Sequence, residues 1–310
     1  MKKISLFVNL IFVSAVLFSC VKAEYVETIS VGSNEQIETK KIVSADVDLL
    51  YEKFLENEEK VIYYTNADDT EFEIFKDVFN DGTNFYLKDI IKFLTDSFNR
   101  DSDSKYEIKI AEHRIVDIGN DGDPELILCL TCDEREGYST QMVIKNVDNR
   151  LKICYIGDSW SRSETTIYDS GYIVTGGSAG AASHIMRYSF VDKNGAWKEW
   201  YQVNSDTDFA VENYTVLVNG EYESLDFSNL DIGHLVIENY IIKNENHYTY
   251  YLLSDDYKTE IRDANIYDSK NEYRKVFDSI KGLKVYTSKE IENLKKQQQN
   301  EIGLLDDILK

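Results

Sequence analysis

The middle of the chain alternates apolar and polar residues with a period of two, which predicts β-strands. The alternation is interrupted about every ten residues by Asp-Gly, Asp-Asn, Asp-Ser-Gly and Lys-Asn-Gly, which suit tight turns. Such spacing favours an antiparallel meander over β-α-β units. The predicted strands are residues 106–110, 125–132, 141–147, 151–156, 165–168, 171–175, 184–191, 197–203, 234–243 and 248–253.

Apolar residues at helical spacing occur on both sides of this region. Residues 49–55 and 87–98 precede it, and residues 273–280 and 287–294 follow it. The last helix begins with a capping box from Thr287 to Glu290. The predicted fold class is therefore α+β, with N-terminal helices, a central antiparallel β-meander and C-terminal helices.

The first nineteen residues have the pattern of a secretory signal peptide. Lys2 and Lys3 are followed by an almost wholly apolar run over residues 4–18. This run is shorter than the roughly 20 residues that a membrane-spanning helix needs. Export with cleavage is therefore favoured over an uncleaved membrane helix.

The end of this segment, Leu17-Phe18-Ser19-Cys20, resembles the lipobox of bacterial lipoproteins. The resemblance implies cleavage before Cys20, lipidation of its thiol, and anchoring at the extracytoplasmic face of the cell membrane. Phe18 departs from the small residue that is usual at its position. The alternative is cleavage after Ala23 by ordinary signal peptidase, which would release the protein.

These features predict four regions along the chain. Residues 1–19 are the signal peptide, and residues 20–44 are the lipidated N-terminus and a flexible tether. Residues 45–298 form the α+β extracytoplasmic domain, and residues 299–310 a C-terminal tail.

The charge of the chain restricts its partners. There are 34 basic and 56 acidic residues, a net charge of −22. Loss of residues 1–19 removes two lysines and no acidic residue, which makes the net charge −24. Nucleic acid is excluded as a partner, because its binding requires a basic surface. The lipid anchor is the predicted membrane contact, since an anionic domain is not attracted to anionic lipid.

The sharpest local motif is Asp117-Ile118-Gly119-Asn120-Asp121-Gly122-Asp123-Pro124-Glu125, which is similar to calcium-binding loops. The candidate calcium ligands are Asp117, Asp121, the Asp123 carbonyl and Glu125. Gly119 stands at the third ligand position and offers no side-chain oxygen. The alternative hypothesis is a plain tight turn without an ion. Calcium is the only cofactor that the sequence suggests.

The stretch from Asp117 to Leu126 also resembles a group of uncharacterised lipoproteins of low-GC bacteria. They carry a D-x-G-N-D-G-x-x-E-L loop loosely related to FG-GAP/VCBS calcium loops. The resemblance covers residues 46 to about 298 and implies an exported α+β domain with no assigned activity. One copy of the loop does not predict a multi-bladed propeller.

Residues 176–180, Gly-Gly-Ser-Ala-Gly, match the G-x-S-x-G nucleophile elbow of α/β-hydrolases. Ser178 is the candidate nucleophile. An elbow joins a parallel strand to a helix, whereas the surrounding strands have the spacing of a meander, so a hairpin loop is favoured. The downstream acids and bases available to a catalytic triad are Asp231, Asp255, His234 and His247.

The remaining candidate residues favour structural roles. Cys129 and Cys132 have CxxC spacing, but on a strand they point to opposite faces, so buried thiols are favoured over a redox or zinc pair. A single cross-strand disulfide to Cys154 is the alternative. Aromatic residues on predicted strands favour the core over an exposed sugar-binding platform; they are Trp197, Trp200, Tyr201, Tyr248, Tyr250 and Tyr251.

The leading functional hypothesis is a non-enzymatic binding or interaction domain in the cell envelope, with an unidentified ligand. A serine hydrolase that uses Ser178 is one alternative. A calcium-supported glycan-binding module is another.

Overall fold

The computed structural model describes residues 49–64, 82–100, 105–118, 121–132, 137–212 and 214–309, which belong to one unit, residues 41–310. The predicted signal peptide, Cys20 and tether lie outside the described residues. The helices are α1 (residues 49–55), α2 (Leu87–Asn99), α3 (Asp208–Glu212), α4 (Glu272–Asp278) and α5 (Ser288–Ile302), with a 3-10 turn at Ala264–Tyr267.

Fifteen strands are found among the described residues. They are β1 (Val61–Tyr63), β2 (Thr83–Phe85), β3 (Ile108–Val116), β4 (Glu125–Cys132), β5 (Ser139–Val147), β6 (Arg150–Ser159), β7 (Ser163–Ile167), β8 (Tyr172–Ser178), β9 (Ser183–Val191), β10 (Trp197–Asp206), β11 (Thr215–Val218), β12 (Glu221–Ser224), β13 (Leu235–Ile242), β14 (Glu245–Leu253) and β15 (Glu260–Ile261).

The strands form three sheets. The first has the order β2-β1-β6-β5-β4-β3, in which β1 and β6 are parallel and the other neighbours antiparallel. The second has the order β15-β14-β13-β10-β9-β8-β7 and is antiparallel throughout. The third is the hairpin of β11 and β12.

The predicted α+β class is wrong, because the protein is mostly β. Strands hold 44% of the described residues and helices only 22%, and the helices are scattered between strands. The period-two pattern located most of the strands of the meander. It missed the short strands β1 and β2, which separate α1 from α2. It also did not predict that the strands divide between two large sheets, because alternation within a strand does not specify which strands pair with it.

Two apolar clusters explain why both faces of the first sheet are covered. One face packs against α1 and α2 through side chains such as Phe54, Ile90 and Leu128. The other face buries Tyr155 against Trp197 of the second sheet, with ring centroids 6.3 Å apart. A sheet covered on both sides shows long apolar runs, as β4 does.

The far face of the second sheet is covered by α5 and the residues after it. The Thr287–Glu290 capping box is present, and α5 ends at Gly303, whose φ of 76° suits glycine. The residues predicted as a tail then return to the sheet, where Leu304 and Ile308 are buried with Trp200.

Candidate functional site

The first candidate site lies where the Asp117–Glu125 motif enters β4. Leu126 of β4 pairs with Ile144 of β5, which places Glu125 opposite Lys145. The Lys145 ammonium donates hydrogen bonds to the Glu125 carboxylate, to Asp121 Oδ2 at 3.2 Å and to the Asp123 carbonyl at 3.4 Å. Three of the four predicted calcium ligands therefore converge on one lysine. We call these three oxygen groups the oxygen cage.

The fourth predicted ligand, Asp117, serves the loop backbone. Its carboxylate accepts hydrogen bonds from Asp121 N at 3.0 Å and from Gly122 N at 3.0 and 3.1 Å. Asp121 Oδ1 accepts from Asp123 N at 2.9 Å. Gly119, at the position without a ligand, lies outside the described residues. Among the described residues, no group of three or more His, Cys, Asp and Glu side chains is placed to hold a metal ion.

The Lys145–Glu125 pair is deeply buried, whereas the Asp121 side chain is 15% exposed. The side chains of Lys145 and Glu125 are 5% and 1% exposed. Burial raises the pKa of Glu125 to about 7, although the hydrogen bond and charge of Lys145 oppose the rise. Desolvation lowers the pKa of Lys145, but the hydrogen bonds and charges of Glu125 and Asp121 outweigh it, so its pKa is raised overall. The lysine is therefore held as an ammonium.

Lys145 is also enclosed from the side of the second sheet. The β9–β10 turn crosses it at Gly195, whose φ is 69°. A Cβ on Gly195 would lie 3.3 Å from Lys145 Cδ and 2.7 Å from Cys154 Sγ. The close approach of this turn fixes the stem of the lysine and requires glycine.

Ser178, the candidate nucleophile, ends β8 in an antiparallel hairpin with β9, where its cross-strand partner is His184. Its hydroxyl donates to the Gly180 carbonyl and accepts from Arg162 Nη2 at 3.1 Å. Its backbone N–H donates to the Arg162 carbonyl at 2.8 Å. These contacts are those of a hairpin serine that positions an arginine, whereas an elbow would join a parallel strand to a helix.

The residues considered as triad partners belong to other contacts. His234 stacks on Tyr257 with ring centroids 4.5 Å apart. His247 is buried edge-on against Tyr286, and desolvation lowers its pKa. Asp231 accepts a hydrogen bond from Gly233 N in its own turn, and Asp255 is exposed in the loop after β14.

Within the described residues, the cysteines at positions 129, 132 and 154 form no disulfide bond. Burial raises the pKa of Cys129, and it raises that of Cys154 to about 12. Thiols with raised pKa values are poor nucleophiles at neutral pH.

The aromatic residues on the strands are mostly buried, as favoured from the sequence: Trp197, Trp200, Tyr201, Tyr248 and Tyr250 are all at most 9% exposed. Lys295 of α5 lies over three of the rings on the second sheet. Its ammonium is 4.7 Å from the centroid of Tyr201, 5.9 Å from Trp200 and 6.0 Å from Tyr240. We call these three rings the aromatic cage. Glu292 pairs with Lys295 at 2.8 Å.

The second candidate site surrounds Trp160, which is 43% exposed. Trp160 and Ser163 close the β6–β7 hairpin through two backbone hydrogen bonds of 2.7 and 2.9 Å. A cleft of about 490 Å³ lies on one side, lined by residues that include Gln141 and Thr165. A cleft of about 280 Å³ lies on the other, lined by residues that include Arg162 and Gln202. Both clefts are bordered by Trp160 and Ser163, and together we call them the Trp160 cleft.

No protein-family model matches the chain, and no curated protein or solved structure matches it. The resemblance of the Asp117–Leu126 stretch to bacterial lipoproteins therefore stays a prediction. Within the described part of the chain, no helix is both long enough and apolar enough to cross a membrane.

Sequence reasoning missed Lys145 and Trp160. Lys145 lies in the middle of a strand, where an isolated lysine resembles any outward-facing polar residue. Trp160 could have been noticed, because a large aromatic residue in the polar turn Ser-Trp-Ser-Arg-Ser is unusual.

Proposed function

We propose that the protein is a membrane-anchored binding protein of the cell envelope, and that its ligand-binding site is the Trp160 cleft. The anchoring part of the proposal depends on the lipobox-like sequence at Cys20. The observation that carries the binding part is the half-exposed indole of Trp160, which borders both a mainly polar cleft of about 490 Å³ and a smaller cleft of mixed polarity.

The chemistry of the cleft favours a carbohydrate. A flat indole stacks on the apolar face of a sugar ring, and hydroxyl and amide groups around it exchange hydrogen bonds with sugar hydroxyls. These amides are held in place, since Gln141 Nε2 donates to the Thr165 carbonyl at 2.6 Å and Gln202 Nε2 donates to Asn204 Oδ1 at 2.8 Å. Preorganised polar groups reduce the entropic cost of binding.

The hairpin geometry also keeps the cleft rigid. Ser178 fixes both the carbonyl and the guanidinium of Arg162, the residue two positions after Trp160. The indole and the arginine are therefore presented by a tight turn that is tied to the neighbouring strand.

Fluorescence of the full-length chain in mild detergent tests this proposal. The other two tryptophans, Trp197 and Trp200, are buried, so acrylamide quenches Trp160 preferentially. Probe sugars are chitotetraose, cellotetraose and xylotetraose. We expect at least one of them to shield Trp160 from quenching, and Trp160→Ala to weaken its binding about tenfold or more, in line with the loss of a stacking aromatic anchor.

The matched control is Tyr222→Ala, because Tyr222 is an exposed aromatic residue on β12, outside the cleft. This variant should bind the sugar as the unmodified protein does. Equal loss in both variants, or unchanged quenching with every probe sugar, would contradict a carbohydrate site at Trp160.

A further inference from the structure

We propose that Lys145 is the built-in cation of the Asp117–Glu125 loop, and that removing its charge converts the oxygen cage into a binding site for a divalent cation such as calcium. The inference is independent of the Trp160 cleft. It concerns a motif whose ligand groups are present but whose central position is taken by a side chain from the adjacent strand.

The first argument is the match between the motif and the contacts. Positions five, seven and nine of a calcium loop supply a carboxylate, a backbone carbonyl and a further carboxylate. In this chain those groups are Asp121, the Asp123 carbonyl and Glu125, and each accepts a hydrogen bond from the Lys145 ammonium. An ammonium and a calcium ion both require convergent oxygen atoms, so the same three groups can serve either cation.

The second argument is electrostatic. Two carboxylates at a site where one is 1% exposed repel each other unless a positive charge lies between them. Lys145 provides that charge as part of the folding chain. A metal ion would have to displace the buried ammonium before it could reach the same oxygens, and the displaced ammonium would lose its partners.

The third argument is the way Lys145 is held. The lysine reaches the loop from β5, and the β9–β10 turn passes directly over its stem at Gly195. The turn therefore packs against the stem of the side chain, which is 5% exposed. Because Lys145 already supplies the positive charge, the stability of the unmodified protein should not depend on free calcium.

Thermal unfolding of the full-length chain in mild detergent at pH 8 tests the proposal, with millimolar calcium or with chelator. The melting temperature of the unmodified protein should be the same in both. Lys145→Met should lower it by about 10 °C in chelator, as expected for a broken buried ion pair. Calcium should restore part of this loss, with half-saturation in the range of about 10⁻⁴–10⁻³ M that sites with few charges show.

Two further variants isolate the site. Lys152→Met is the matched control, since Lys152 is the cross-strand partner of Lys145 but lies half-buried over the ring of Tyr64. It should create no response to calcium. Asp121→Asn added to Lys145→Met should abolish the response, because it removes one of the charged ligands.

Three results would overturn the proposal. One is a calcium-dependent rise in the melting temperature of the unmodified protein, which would mean that the ion displaces Lys145. Another is a Lys145→Met variant that folds but does not respond to calcium. If that variant does not fold even with calcium, Lys145→Gln is measured in its place, and the same absence of response counts against the proposal.

Discussion

Lys145 is a buried lysine and Lys295 a partly buried one, and their surroundings differ. Lys145 in the first sheet is enclosed by oxygen atoms of the Asp117–Glu125 loop, whereas Lys295 on α5 lies over the aromatic cage of the second sheet. Their side chains are 5% and 14% exposed. Both place a positive charge against an electron-rich surface, one made of carboxylates and one of π-faces.

The difference lies in what remains when the charge is removed. Without Lys145, the buried Glu125 carboxylate is left beside the Asp121 carboxylate with no cation between them, which is a costly arrangement. Without Lys295, the aromatic rings are still apolar surface that packs well against a hydrophobic replacement. A lysine ammonium is therefore needed to neutralise carboxylates in the first region, whereas in the second it adds only modestly to the free energy of unfolding.

The largest expected effect is on the free energy of unfolding when each lysine is replaced by methionine. Lys145→Met should lower it by about 3–5 kcal/mol, because a buried charge pair is broken. Lys295→Met should lower it by only about 1 kcal/mol, the usual contribution of a cation–π contact. Urea denaturation of both variants measures the difference, and similar losses would contradict the comparison.

The pH dependence should also separate the two regions. The pKa of Glu125 rises from 4.5 to about 7 on folding, so the folded protein binds this proton more tightly than the unfolded chain. The contribution is present in full at acidic pH and is lost as pH rises from about 4.5 to 7, by roughly 3 kcal/mol in all.

Urea denaturation at several pH values measures this contribution. Glu125→Gln should flatten the stability curve in that interval, because glutamine does not titrate. Lys295→Met should leave the slope unchanged. A stability curve of Glu125→Gln that keeps the original slope would assign the dependence to other groups.

The smallest expected effect comes from replacement by arginine. Lys295→Arg should change the unfolding free energy by less than about 0.5 kcal/mol, since a guanidinium stacks well on aromatic rings. Lys145→Arg should cost about 1–3 kcal/mol, because the Gly195 turn leaves no room for the larger group. Differential scanning calorimetry of the two variants gives the comparison, and equal tolerance at both positions would show that the oxygen cage is not tightly packed.

Much of the secondary structure could be predicted from local patterns. Strand β4 was predicted at its observed bounds, Glu125–Cys132, and helix α2 and the capping box of α5 were predicted close to theirs. These elements depend on periodicity and on capping residues, which act over a few positions of the chain. The fold class was wrong because strands outnumber helices and the helices are scattered among them, and strands of three residues such as β1 and β2 are too short to show a clear period of two.

The candidate sites also contain some residues that local sequence patterns predicted and others that only the fold brings together. The Asp117–Glu125 motif was visible because its ligand groups are consecutive, and Ser178 was noticed because glycines flank it. The role of Lys145 was not visible, because it comes from β5, twenty residues after Glu125. The clefts beside Trp160 combine side chains from several strands, so no single segment encodes them.

The sequence by itself determined the longer strands of the meander, the turns between them and the group of oxygen atoms in the Asp117–Glu125 loop, since each depends on neighbouring residues. Only the tertiary structure decided that two large sheets pack together, that the central position of the loop holds the Lys145 ammonium, and that Ser178 fixes an arginine in a hairpin. The physical reason is that burial, charge pairing and strand partnership are interactions between distant segments, and they acquire their energy only when folding brings those segments together.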